Sequence, residues 1–202
     1  MPLLALLLAA VCPPQALQAA RFQPGEVLSY RIDVLGLDVG TFEVRSQAPP
    51  ASDKRAALEL TSRAKTSAFV STNAGNYQAF ASALLGPDFA PLHYREDLDD
   101  GPVHRGVDVD FPPAADGKLS VRATKNGEPD PVALQASPSL RDVISTLYVF
   151  RAQSMKAGTP VCMEVFAGRK IWKVTGQVAA RETIDTPMGK FATMRVDADN
   201  LA

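Results

Sequence analysis

Strict alternation is the clearest pattern along the chain. Leu28, Tyr30, Ile32 and Val34 alternate with Ser29, Arg31 and Asp33, a period of two, which predicts a strand with one apolar face. "GLDVG" turns the chain, with Gly36 and Gly40 free to take positive φ, and Phe42 and Val44 continue the pattern on a return strand. "AALELTSRA" reads as a third strand. Residues 66–85 mix helix-favouring Ala and Leu with Asn73, Gly75 and Ser/Thr. They predict a short irregular or helical piece followed by a strand near Asn76 to Leu84. Further strands are expected over 117–126 and, after "KAGTP", in "VCMEVFAG", "RKIWKVTGQVAARETI" and "KFATMRVDA". The last two are joined by a tight turn at Pro187 and Gly189.

One segment switches period. In "SPSLRDVISTLYVFRAQ", Leu140, Val143, Ile144, Leu147 and Tyr148 follow i, i+3, i+4, i+7, i+8 spacing. Ser139 is the expected cap, with Asp142 three residues on in a capping-box arrangement; Ser137 before Pro138 is the alternative start. The stripe should lie against a sheet. Strands precede and follow this one helix without βαβ alternation, which argues against a parallel α/β sheet. The fold class expected is mainly β: a curved antiparallel sheet or incomplete barrel with one amphipathic helix packed on it. Ala202 follows just beyond a strand. That strand's edge needs cover from an earlier strand or from chain beyond Ala202, because an open edge is an aggregation hazard.

The first residues carry a different signal. Leu3 to Val11 is an unbroken apolar run, followed by two prolines and small residues. This is the layout of a secretory signal with cleavage after Ala19 or Ala20. It lacks a basic residue before Arg21. Residues 1–20 are therefore expected to be a signal peptide and residues 21–202 a single β-rich domain. "AAVC" ending at Cys12 nearly matches a lipoprotein signal, with Val11 where a small residue belongs. The expected localisation is periplasmic or secreted. After cleavage Cys162 would be the lone cysteine, and within "PVCMEVF" it reads as a buried small hydrophobe.

Of the 202 residues 46% are hydrophobic and 21% charged, with a net charge of −1. That composition supports a packed core and provides no basic field for nucleic acid. The apolar leader is too short to span a bilayer, which needs about 20 residues. Nucleotide-binding glycine motifs, nucleophile elbows and paired-histidine metal motifs do not occur. No cofactor and no metal site is expected.

Both histidines fall in "HYREDLDDGPVHRGVDVDF", residues 93–111. A turn at Asp100-Gly101 is a strong hairpin signal. It would pair Leu98 with Val103, Asp97 with His104, Glu96 with Arg105 and His93 with Asp108. One face would then hold Leu92, Tyr94, Leu98, Val103, Val107 and Val109. The other would hold His93, Arg95, Asp97, His104 and Asp108. The polar face should meet water. The histidines would sit roughly 13 Å apart, too far for one metal ion. His93–Asp108 is the one acid–base candidate, and the balance is against an enzyme.

"FQPGEVLSYRIDVLGLDVGTFEV", "LRDVISTLYVFR" and "GRKIWKVTGQVAARETIDTPMGKFATMRV" occur in that order. Together they resemble the exported bacterial family catalogued as domain of unknown function 3108. The resemblance implies an envelope protein of mostly antiparallel β structure and supplies no catalytic residues. Two functions are consistent with these readings. The first is a periplasmic binding or carrier module for an apolar or lipid-like small molecule, with Leu140, Val143, Ile144, Leu147 and Tyr148 lining its site. The second is a non-catalytic structural or protein-interaction module of the envelope, with the strand ending near Val196 as a candidate edge.

Overall fold

A computed structural model describes residues 22, 24–111, 115–153 and 156–201. The expected leader, its cleavage site and Cys12 lie outside the described residues. The strands are β1 (Val27–Val34), β2 (Leu37–Gln47), β3 (Leu58–Thr66), β4 (Tyr77–Leu85), β5 (Pro91–Asp100), β6 (Val103–Asp110), β7 (Ser120–Lys125), β8 (Glu128–Pro129), β9 (Arg141–Asp142), β10 (Pro160–Ala167), β11 (Lys170–Thr186) and β12 (Gly189–Leu201). Helix α1 (Ala68–Asn73) lies between β3 and β4, and α2 (Val143–Ala152) between β9 and β10.

Strands β1 to β8 form one sheet in sequence order, antiparallel at every step. The order β12-β11-β10-β9 forms a second sheet, in which only the β9–β10 pair is parallel. The large sheet curls as a half-barrel, and the expected mainly β fold with a curved antiparallel sheet stands. Helix α2 packs against β3 and β4 on one side and β9 and β10 on the other. Its one flank closes the lower part of the large sheet's inner face.

The helix is shorter than its stripe. It begins at Val143 because Asp142, not Ser139, caps it: the Asp142 carboxylate accepts bonds from the Ile144 and Ser145 N–H groups, both 2.8 Å. Arg141 and Asp142 are extended and pair with Val165 and Phe166 of β10. Ser139 hydrogen-bonds Ser137 instead. The Asp142 Oδ2 atom is buried without a hydrogen-bond partner among the described residues.

Burial pushes the Asp142 carboxyl up, against the opposing pull of its backbone N–H bonds. A raised folded pKa means the folded state holds the proton more tightly than the unfolded chain. Its contribution is therefore fullest below the unfolded carboxyl pKa of about 3.9 and declines as pH rises toward the folded value. Asp142→Asn keeps a capping oxygen and removes the charge. The variant's stability relative to the parent is expected to rise between pH 4 and pH 7, measured by urea unfolding at both. A constant difference would mean that Asp142 does not titrate in this window.

Candidate binding site

The 93–111 segment is a hairpin with its polar face in water, as the alternation predicts, but its register is slipped. The turn residues are Gly101 and Pro102, so His93 faces Asp110, Tyr94 faces Val109, Leu98 faces Arg105 and Asp99 faces His104. Gly101 takes φ +57°, and proline's fixed φ suits the following turn position. A glycine-first turn thereby displaces the expected Asp-Gly turn. Because the slip is two residues, the membership of each face is unchanged.

On the outer face, His93 Nδ1 lies 3.0 Å from Asp110 and Nε2 lies 3.5 Å from Asp108. The Arg122 guanidinium bonds to both carboxylates. Burial alone would raise the Asp110 carboxyl, but the hydrogen bonds from His93 and Arg122 outweigh it and hold it below the usual range. Ligand atoms of His93, Asp108 and Asp110 lie within 4.8 Å of one another, yet a cation there would have to displace Arg122. His104 pairs separately with Asp99 at 2.7 Å, six positions along β5 from His93, or roughly 20 Å. The outer face is thus a lattice of surface ion pairs, each worth little in water.

The inner face is built differently. One row across the strands runs Leu28, Val44, Ser62, Ala81, Glu96, Val107 and Ala123. Val44, Ser62, Ala81, Val107 and Ala123 in it are buried. The next row runs Tyr30, Phe42, Ala64, Ala79, Leu98, Arg105 and Lys125. None of its members is buried, and Tyr30 is 49% exposed. Tyr30 and Phe42 stack with ring centroids 6.1 Å apart. Ala64 and Ala79 in the middle of the row leave room that larger side chains would fill. From Tyr30 to Arg105 the row crosses five strand spacings, about 24 Å, and its stretch from Tyr30 to Leu98 forms an open apolar trough.

Among the five residues of the predicted site, Leu140, which precedes the helix, and Ile144 and Tyr148 on it belong to the core, at 2% exposure or less. Val143 and Leu147 are exposed on the opposite flank. The helix repeat brings them together with Arg151, whose guanidinium is held by Glu26 at 2.6 Å. A hydrophobic stripe read from spacing alone cannot separate the flank that packs from the flank left open.

At the far end of the trough a cavity of about 310 Å³ is lined by Glu96, Leu98, Arg105, Val107, Gly168 and Arg169. Sequence reasoning expected Glu96 and Arg105 as a cross-strand pair. The slipped register separates them: Glu96 faces Val107 and Arg105 faces Leu98. Arg105 makes no ion pair among the described residues. Glu96 accepts a bond from the Tyr94 hydroxyl at 3.1 Å, and burial pushes its carboxyl up. Arg169 came to notice only through the fold, since the β10–β11 turn swings it against β5 and β6.

A second apolar groove, of about 870 Å³, lies between the end of α2 and β12, lined by Phe22, Phe150, Val174, Met194 and Val196 among others. Cys162, expected as an unpaired buried hydrophobe, is half-buried and disulfide-bonded. Its side chain is on the face of β10 opposite Val161, Met163 and Val165. No helix among the described residues is long and apolar enough to cross a membrane.

A family model described as "Protein of unknown function (DUF3108)" matches residues 29–201. No curated protein and no solved structure matches the chain.

Proposed function

We propose, for a chain that belongs to the DUF3108 family of proteins of unknown function, that it is an exported binding module whose ligand has an apolar body and lies in the trough. The supporting observation is the uncovered inner row Tyr30, Phe42, Ala64, Ala79 and Leu98, left open where α2 stops covering the sheet. Apolar concave surfaces of this kind are where small molecules bind. Export rests on the apolar run Leu3 to Val11 and the small residues after it. The expected result is saturable uptake of the neutral dye N-phenyl-1-naphthylamine by the purified protein, with enhanced fluorescence. Ala79→Trp, which fills the trough from its floor, should abolish that uptake while the melting temperature stays within a few degrees. Saturable binding that Ala79→Trp leaves unchanged would place the dye elsewhere, and no saturable binding would end this reading.

One feature favours the interaction-module reading. At the tip of the β11–β12 hairpin Ile184 pairs with Phe191, and both are exposed beside Met188, which is 89% exposed. Among the described residues strand β12 is also an edge of its sheet. If this tip docks on an envelope protein, Met188→Lys should remove a crosslink seen with the parent. An unchanged crosslinking pattern would count against the tip.

A further inference from the structure

The trough is apolar along its floor, yet its β6 end meets two guanidinium groups. Arg105 occupies an inward position in the open row, between the apolar stretch that ends at Leu98 and the exposed Lys125. It makes no ion pair among the described residues, although the Glu96 carboxylate lines the same cavity, and a half-buried cation gains from a bonded partner. Arg169 lines the same cavity. It is held to Asp130 through Nη1 at 2.7 Å, and its Nε is buried without a hydrogen-bond partner among the described residues. Its backbone has φ +77°, the left-handed conformation that a two-residue hairpin turn of this kind requires. The preceding position, Gly168, is also in the left-handed region at φ +55°. The two-residue turn therefore places its arginine, rather than a second glycine, against the cavity.

We propose that this cavity is the head-group site of the trough and that the ligand is an anionic amphiphile. One carboxylate or phosphate is bound by Arg105 and Arg169, and one hydrocarbon chain lies along Leu98, Ala79, Ala64 and Phe42 toward Tyr30. The proposal rests on the trough reading above and adds the chemical class of the ligand. Leu98 belongs to both the cavity and the row, so head and chain sites are continuous. The row's length of about 24 Å suits a long single chain. Guanidinium forks match carboxylate and phosphate geometry, and charge-assisted bonds to them are strong where water is excluded.

Glu96 also lines the cavity and would repel an anion if ionised. Burial pushes its carboxyl up while the Tyr94 hydroxyl bond opposes the rise, and the net upward shift weakens that repulsion.

The test measures binding of palmitate, hexadecyl phosphate and hexadecanol, three head groups on one chain, by displacement of N-phenyl-1-naphthylamine from the full chain. At least one anion is expected to bind tenfold or more tightly than the alcohol. Arg105→Ala should bring anion and alcohol within about a factor of two, and Arg169→Ala should do the same. Arg105 makes no bond among the described residues whose loss would unfold the chain, and melting temperatures check both variants. Preference for palmitate assigns a carboxylate head, and preference for hexadecyl phosphate a phosphate head. Hexadecanol binding as tightly as both anions, or an anion preference surviving both substitutions, would overturn the head-group site while leaving the trough standing. Failure of the parent protein to take up the dye at all would remove the trough and the head-group site together.

Discussion

Replacing Phe166 with alanine is expected to destabilise the protein by about 3–5 kcal/mol, the usual range for a buried phenylalanine whose space cannot close. Phe166 is fully buried on β10, and its ring meets that of Tyr94 on β5 edge-on, centroids 5.9 Å apart. The two rings belong to different sheets, so this contact joins the β9–β12 sheet to the inner face of the large one. The same backbone position pairs with Asp142, the residue that caps α2. A cavity here loosens the sheet-to-sheet contact and the start of the helix together. Urea unfolding, followed by circular dichroism, measures the change. A loss below about 1 kcal/mol would mean that the two sheets are held by other contacts.

Gly176→Val is expected to cost about 3 kcal/mol and to free β12. A Cβ at position 176 would strike the Asp197 carbonyl oxygen and come within 2.6 Å of the Ala198 Cα. These are backbone atoms of the paired strand, so no side-chain rotation relieves the clash, and overpacking of this kind destabilises by one to several kcal/mol. Met194, Val196 and Ala198 of β12 line the groove beside α2, and they would leave with the strand. Hydrogen exchange reads the effect directly. Amides of Arg195 to Asp199 should lose protection while those of β3 and β4 keep theirs. Unchanged protection in β12 would show that the hairpin can shift to admit the side chain.

The hairpin at residues 93–110 shows what could be read beforehand and why. Alternation assigned Tyr94, Leu98, Val107 and Val109 to one face and His93, His104 and Asp108 to the other, and both faces stand. A period of two is blind to a slip of two, so the partners were wrong while the faces were right. The choice between turns at Asp100-Gly101 and Gly101-Pro102 is a balance of local backbone energies close to one another. Hence His93 faces Asp110, and Glu96 and Arg105 are not partners. The helix stripe has the same character. Spacing grouped Leu140, Val143, Ile144, Leu147 and Tyr148, but burial divides them, because two sheets rather than one lie against α2.

Period, turn residues and composition were enough by themselves to determine a mainly antiparallel β chain, the wet face of the histidine hairpin and the amphipathic segment near 143–152. Those features depend on neighbours within a few residues. Which inner row stays uncovered, and the meeting of Arg105, Arg169 and Glu96 around one cavity, were decided only in the tertiary structure. Arg169 is 64 positions from Arg105 in the chain. No local pattern links them, because their approach depends on the curl of one sheet and the docking of another upon it, contacts whose energies arise between segments and not within them.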